Sequence, residues 1–235
     1  MLRYLFLLSL LVVFGVFTSH SQNVPEGYKL LFEEDFEDSK DTRAFSMTDA
    51  NAWRLHEASE NRSLELFQQS KYQSRVRSPF NIALIKDLIV GDFVLEVDLI
   101  QTGREYGHRD MCVFFGAKDP SNFYYVHFAS KTDDHAHNIF IVNDEPRTKI
   151  STKTSPGIDW GEKDQLHRIR IERTLADGMI KVYFDDMTAP IMEAEDRHFD
   201  YGKIGFGSFD DTGRVDNIKV WGKETKSDFS SFVDQ

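Results

Sequence analysis

Short runs in which apolar residues recur at every second position extend along nearly the whole chain, and this periodicity restricts it to a β fold. In Phe93 to Gln101 (FVLEVDLIQ), Phe93, Leu95, Val97 and Leu99 share one face. His167 to Arg173 sets Ile169 and Ile171 against Arg168, Arg170 and Glu172. Met179 to Phe184 aligns Ile180, Val182 and Phe184, and Lys203 to Phe209 and Arg214 to Val220 continue the period of two. Further strands are expected at Lys29 to Phe36, Ser63 to Phe67, Asp110 to Ala117, Phe123 to Ala129, Ile139 to Val142 and Thr148 to Thr152. Ala176-Asp177-Gly178 and Asp211-Thr212-Gly213 supply hairpin turns between them.

Many strands at short spacing, with one domain's worth of residues, predict an all-β protein: two antiparallel sheets in a single sandwich over residues 22–222. Residues 223–235 are polar and read as a flexible tail. The single cysteine, Cys112, lies in the apolar run MCVFF, so no intramolecular disulfide is available and a buried structural thiol is expected.

Residues 1–21 have the layout of a secretory signal peptide. Arg3 gives a positive start, Tyr4 to Val16 an apolar run short for a bilayer, and Ser19-His20-Ser21 small residues for cleavage after Ser21. A secreted chain, extracellular or periplasmic, is the expectation, with no membrane insertion once the leader is removed. A net charge of −11 argues against nucleic acid as a partner. An anionic ligand stays open, because Arg104, His108 and Arg109 form a local basic cluster. Nothing here sets the oligomeric state.

The segment Phe123 to Asn143 (FYYVHFASKTDDHAHNIFIVN) is dense in titratable groups, with His127, His135 and His137 beside Lys131, Asp133 and Asp134. Imidazoles beside carboxylates are suited to binding a metal or moving a proton near neutral pH. Phe123, Tyr125 and His127 alternate with Tyr124, Val126 and Phe128, so this strand is apolar or aromatic on both faces. The second face either lines a groove or is buried beneath a covering loop. If the loop is extended, His135 and His137 point the same way and Asp133 or His127 could add a third ligand.

The chain resembles the concanavalin A-like lectin/glucanase superfamily of jelly rolls. The resemblance is carried by LFEEDF at Leu31 to Phe36, the Trp53 strand, GDFVLEVD at Gly91 to Asp98, IKVYFD at Ile180 to Asp185, KIGFGSF at Lys203 to Phe209 and VDNIKV at Val215 to Val220. It looks most like secreted 3-keto-disaccharide hydrolase-domain and laminin-G-like proteins. That superfamily includes glycoside hydrolases, polysaccharide lyases and non-catalytic glycan-binding modules, so the resemblance implies a carbohydrate ligand without naming the chemistry. The glucanase pattern E-x-D-x-x-E is met at Glu96 and Asp98 but ends in Gln101, whose amide cannot exchange the proton that retaining hydrolysis needs. A lyase needs a base and a group that neutralises a uronate carboxylate. The residues expected to carry catalysis are His127, Tyr125, His135 and His137. Arg104, His108, Arg109, Lys131, Asn138 and Trp160 are expected to bind substrate. The resemblance also implies that the first and last strands meet, where Glu34 or Asp35 opposite Asp216 would hold a structural calcium.

The sequence therefore predicts a secreted carbohydrate-active protein with a groove on one sheet, cleaving a glycosidic bond as a hydrolase or lyase. The alternative is a non-catalytic glycan-binding or adhesion module of the same fold.

Overall fold

The computed structural model describes residues 24–58 and 61–223. Residues 1–23, which include the expected leader, and the residues after Lys223 lie outside this range. In chain order the strands are β1 (Lys29–Glu34), β2 (Phe45–Met47), β3 (Trp53–Ala58), β4 (Asn61–Leu66), β5 (Asn81–Ile85), β6 (Phe93–Gln101), β7 (Asp110–Asp119) and β8 (Asn122–Ala129). They continue with β9 (Asn138–Asn143), β10 (Thr148–Lys149), β11 (Ser151–Thr154), β12 (Leu166–Arg173), β13 (Met179–Phe184), β14 (Met192–Glu195), β15 (Lys203–Ser208) and β16 (Gly213–Gly222).

The strands form two antiparallel sheets. The nine-stranded sheet runs β11-β14-β13-β12-β6-β16-β4-β3, with β1 also on β16, and the seven-stranded sheet runs β10-β9-β8-β7-β15-β5-β2. Alternation dictates what lies between them. Leu95, Val97 and Leu99 of β6 and Ile169 and Ile171 of β12 face Val113 and Phe115 of β7 and Tyr124, Val126 and Phe128 of β8. Burying each such side chain is worth roughly 1.5–3 kcal/mol, which makes this layer the main source of stability.

Some predicted strands change under pairing. Thr148 to Thr152 divides at Ile150, with Thr148 and Lys149 on β9 and Ser151 to Thr154 on β14 of the other sheet. In β16 the period of two breaks at Asn217 (φ 49°), and the register against β6 shifts between Asp216 and Lys219. Val215, Ile218 and Val220 all reach the core as a result. β16 pairs with β4 before that bulge and with β1 after it. Sequence reasoning passed over β2, β5 and β14. β5 is buried on both faces, so it shows no alternation.

The outer face of the seven-stranded sheet holds a second apolar layer. Ile82, Leu84, Phe114, Phe123, Tyr125, Phe140 and Val142 are buried there, with Val76 packed against them. Val76 belongs to residues 67–80, which cross this face between β4 and β5. They are held by Ser70 N donating to Asn81 Oδ1 (2.7 Å), by Arg147 N donating to Arg77 O (3.1 Å) and by an Arg75–Asp144 ion pair. Of the two arrangements open for this face, the structure shows the covering segment over the middle of the sheet. Clefts open at one end.

Candidate functional site

That end gathers the β6–β7 loop (102–109), the β8–β9 loop (130–137), the β9–β10 loop (144–147) and the β15–β16 loop (209–212). Tyr106 stands at the centre. On one side is a cleft of about 120 Å³ lined by Arg77, Tyr106, His108, His127, His135, Arg147, Phe209 and Asp210. On the other is a cleft of about 260 Å³ lined by residues that include Tyr106, Arg109, Lys131, Asp159 and Trp160. Arg104 lies over the Tyr106 ring, 5.0 Å from its centroid. Lys131 N donates to Gly107 O (2.9 Å) and ties two of the loops together.

A buried polar network forms the floor. Asp110, fully buried at the start of β7, accepts from Ser208 Oγ (2.8 Å), Phe209 N (2.9 Å) and Cys112 Sγ (3.2 Å), and lies 3.4 Å from His127 Nε2. Burial opposes ionisation of Asp110, but its interaction with His127 and the bonds from Phe209 N and Cys112 outweigh it and hold the carboxyl low. Asp211 accepts from Tyr106 Oη (2.6 Å) and from Asp110 N (3.0 Å). Burial and the neighbouring Asp110 charge push its carboxyl up to about 6 against the pull of Tyr106. Burial and Asp211 raise the Tyr106 hydroxyl in turn. Gly103 is required beside this network, since a Cβ there would lie 2.6 Å from Asp211 Oδ1.

The histidines divide by environment. His127 is 4% exposed. Its Nδ1 accepts from His137 N (3.2 Å), so its proton sits on Nε2 toward Asp110. His137 is fully buried, with Nδ1 accepting from Ala129 N (3.3 Å) and Nε2 facing Ser155 Oγ (2.8 Å). Burial, reinforced by the neighbouring His127 ring, lowers it to about 4, so it stays neutral. His135 is exposed, and His108 pairs with Asp133 at 2.6 Å with half its side chain exposed.

Several expectations need correction. Tyr125 lies wholly in the second apolar layer, and burial raises its hydroxyl well above the usual value, so it is not placed to act as a base. His127 and His137 have both ring nitrogens engaged within the protein. His135 and His137 do not point the same way, because the segment turns (His137 φ 52°) rather than extending. Asn138 is buried and shapes the loop by donating to Asp133 O (2.7 Å) and Ala136 O (2.9 Å). The Trp160 ring packs in the core against His167 and Phe184, its Nε1 donating to Arg109 O (3.0 Å), so no face is free to stack on a sugar. Arg109 is also buried, its guanidinium committed to Gln101 Oε1 (2.6 Å).

The proposed calcium ligands are dispersed. The Glu34 carboxylate accepts from Phe36 N (2.7 Å) and Ser39 Oγ (3.0 Å). Asp216 accepts from Asn61 Nδ2 (2.9 Å) and Asn217 N (2.7 Å) and pairs in register with Asp98. β1 and β16 do meet, but among the described residues these acids do not converge as a ligand group. Asp110, Asp210 and Asp211 bring carboxylate oxygens within 4.8 Å of one another. Two of the three are already acceptors in the floor network, which makes the cluster a hydrogen-bonded hub.

Arg104, His108, His127, His135 and Lys131 therefore lie together at this end of the sandwich. Tyr106, Arg77, Arg147 and Asp210 were not anticipated. They come from loops without periodicity, and only the fold brings them to one place.

No family model matches the chain, and no curated protein does by sequence. Solved structures do match. A Bacillus subtilis protein of unknown function with a galectin-like fold aligns at TM-score 0.55 and 14% identity over 84% of this chain and 100% of that one. Domain 4 of AbnA, a GH43 extracellular arabinanase from Geobacillus stearothermophilus, in complex with arabinotriose, aligns at TM-score 0.52 and 13% identity over 85% and 95%. The carbohydrate-binding module CBM66 from Bacillus subtilis aligns at TM-score 0.51 and 18% identity over 74% and 93%. These likenesses establish the fold: a two-sheet antiparallel β-sandwich of the jelly-roll type.

Proposed function

We propose that this protein binds a carbohydrate chain across the two clefts that meet at Tyr106. The observation that carries the reading is this convergence of an aromatic ring, histidines and arginines at one loop end, on a sheet whose remaining outer face is sealed. Neither cleft, at about 120 and 260 Å³, reaches the ~300 Å³ at which pockets usually enclose a small molecule. An extended ligand lying over Tyr106 and entering both fits better than a single enclosed one. Two of the matching structures are named for carbohydrate binding or carry a sugar, which supports the ligand class. Export through residues 1–21 belongs to the same reading.

Binding is favoured over cleavage by the state of the best base. His127 sits below the surface with each ring nitrogen engaged, so it orients the floor instead of taking a proton. The test is calorimetric titration with a panel of neutral and acidic oligosaccharides, with chromatography of the same mixtures for products. Binding without products is expected. Tyr106→Ala should weaken binding by at least about tenfold, as loss of a central aromatic contact does. Unchanged affinity in that variant, or turnover by the wild type, would refute the reading.

A further inference from the structure

We infer that the cleft between Arg77 and Arg147 receives an anionic oxygen group, a carboxylate or sulfate ester, so that the carbohydrate bound here is an acidic one. The inference rests on the carbohydrate-binding reading of the same clefts. Arg147 carries it. Its guanidinium lies 4.4 Å from the Phe209 centroid and 5.7 Å from that of Phe140, and Nη2 donates to His135 O (3.3 Å). Aromatic contacts hold the plane, and the backbone carbonyl fixes its rotation. Nε and Nη1 are buried and find no acceptor in the protein.

A buried cationic donor left without an acceptor is strongly unfavourable, and proteins rarely keep one without use. The surroundings match an anion. Arg77 lines the same cleft from the covering segment, and His108 and His135 add ring nitrogens. The Tyr125 hydroxyl, buried and also without a partner, lies within the field of Arg147. Asp210 is the one carboxylate among the lining side chains, and it is exposed. Two guanidiniums facing one small cleft stand out in a chain of net charge −11. Sugar hydroxyls would satisfy such donors, but bonds to an ionised acceptor are roughly twice as strong.

The experiment titrates the full chain with three oligosaccharides of equal length and linkage. One is a uronate, one its carboxyl-reduced neutral counterpart, and one a sulfated form of the neutral sugar. At least one acidic ligand should bind about tenfold or more tighter than the neutral one, as charge-assisted hydrogen bonds imply, and the gap should narrow with added salt. Whichever acidic arm binds identifies the anion. Arg147→Met should bring the preference near unity, the acidic ligand losing more affinity than the neutral one because only it makes the charged contact. Arg77→Met, at an exposed position, makes the same test without touching a buried group and decides the matter if Arg147→Met fails to fold by its melting curve. Equal affinity for all three ligands, or a preference that survives both substitutions, overturns the inference and leaves saccharide binding intact. No binding in any arm overturns both.

Discussion

On the nine-stranded sheet the outward positions of β6, β12 and β13 form a groove of about 790 Å³, lined by residues that include Tyr28, Glu96, Arg168, Arg170, Glu172 and Tyr183. On the seven-stranded sheet the outward positions are mostly apolar and covered, and small clefts lie beside Tyr106. By volume the first is the better site. Its polar groups, however, satisfy one another. Arg170 bonds Glu96 and Glu172 at 2.8 Å each, Arg168 approaches Asp98 (3.4 Å), and Tyr183 Oη donates to Glu172 (3.4 Å). The smaller site instead holds buried cationic donors that the protein leaves unmet. Unmet chemistry rather than volume distinguishes the place that gains from a ligand, because a satisfied ladder must break its own bonds to bind.

The largest effect expected from this contrast is on the groove. Arg170→Met removes a buried guanidinium from between two carboxylates and should destabilise the fold by about 3 kcal/mol in urea denaturation, with saccharide affinity unchanged. A loss of affinity in the folded variant would move the site to the nine-stranded sheet. His127→Ala should lower stability by about 2 kcal/mol, because it leaves Asp110 buried without its imidazole and opens a cavity. A melting temperature equal to wild type would show that the floor network is dispensable.

A pH effect comes next. The folded state holds the Asp211 proton more tightly than the unfolded chain does, with the folded carboxyl at about 6. Its contribution to stability is full below about pH 4, the unfolded range, and is lost as pH rises through the folded value. The stability of the wild type relative to Asp211→Asn should fall across that window in denaturation series. A flat difference would mean that Asp211 is not held protonated. The smallest effect concerns calcium. With Glu34 and Asp216 bonded to separate partners, adding calcium or a chelator should leave the melting curve unmoved, and a clear shift would restore an ion at β1 and β16.

Much of the fold was legible because alternation is a local property. Leu95, Val97 and Leu99 read as inward from spacing alone, and they are. So does His167, in phase with Ile169 and Ile171, which is buried and stacks on Phe184 at 4.7 Å. The candidate site was legible only in part. The histidine segment pointed to the end of the seven-stranded sheet where the candidate clefts lie. It could not show that His127 and His137 lie beneath the surface while His108 and His135 lie on it, since imidazoles suit both settings.

Composition, period and turn chemistry determined a two-sheet antiparallel sandwich, because strand formation and burial follow from neighbours a few residues away. Three things required the tertiary structure: the covering of one face by residues 67–80, the meeting of Tyr106 with Asp211, and the isolation of Arg147 among Phe140, Phe209 and His135. The first two join side chains far apart in the chain and the third brings distant Phe209 against Arg147; whether a charge is paired, buried or left waiting depends on packing that no local pattern encodes.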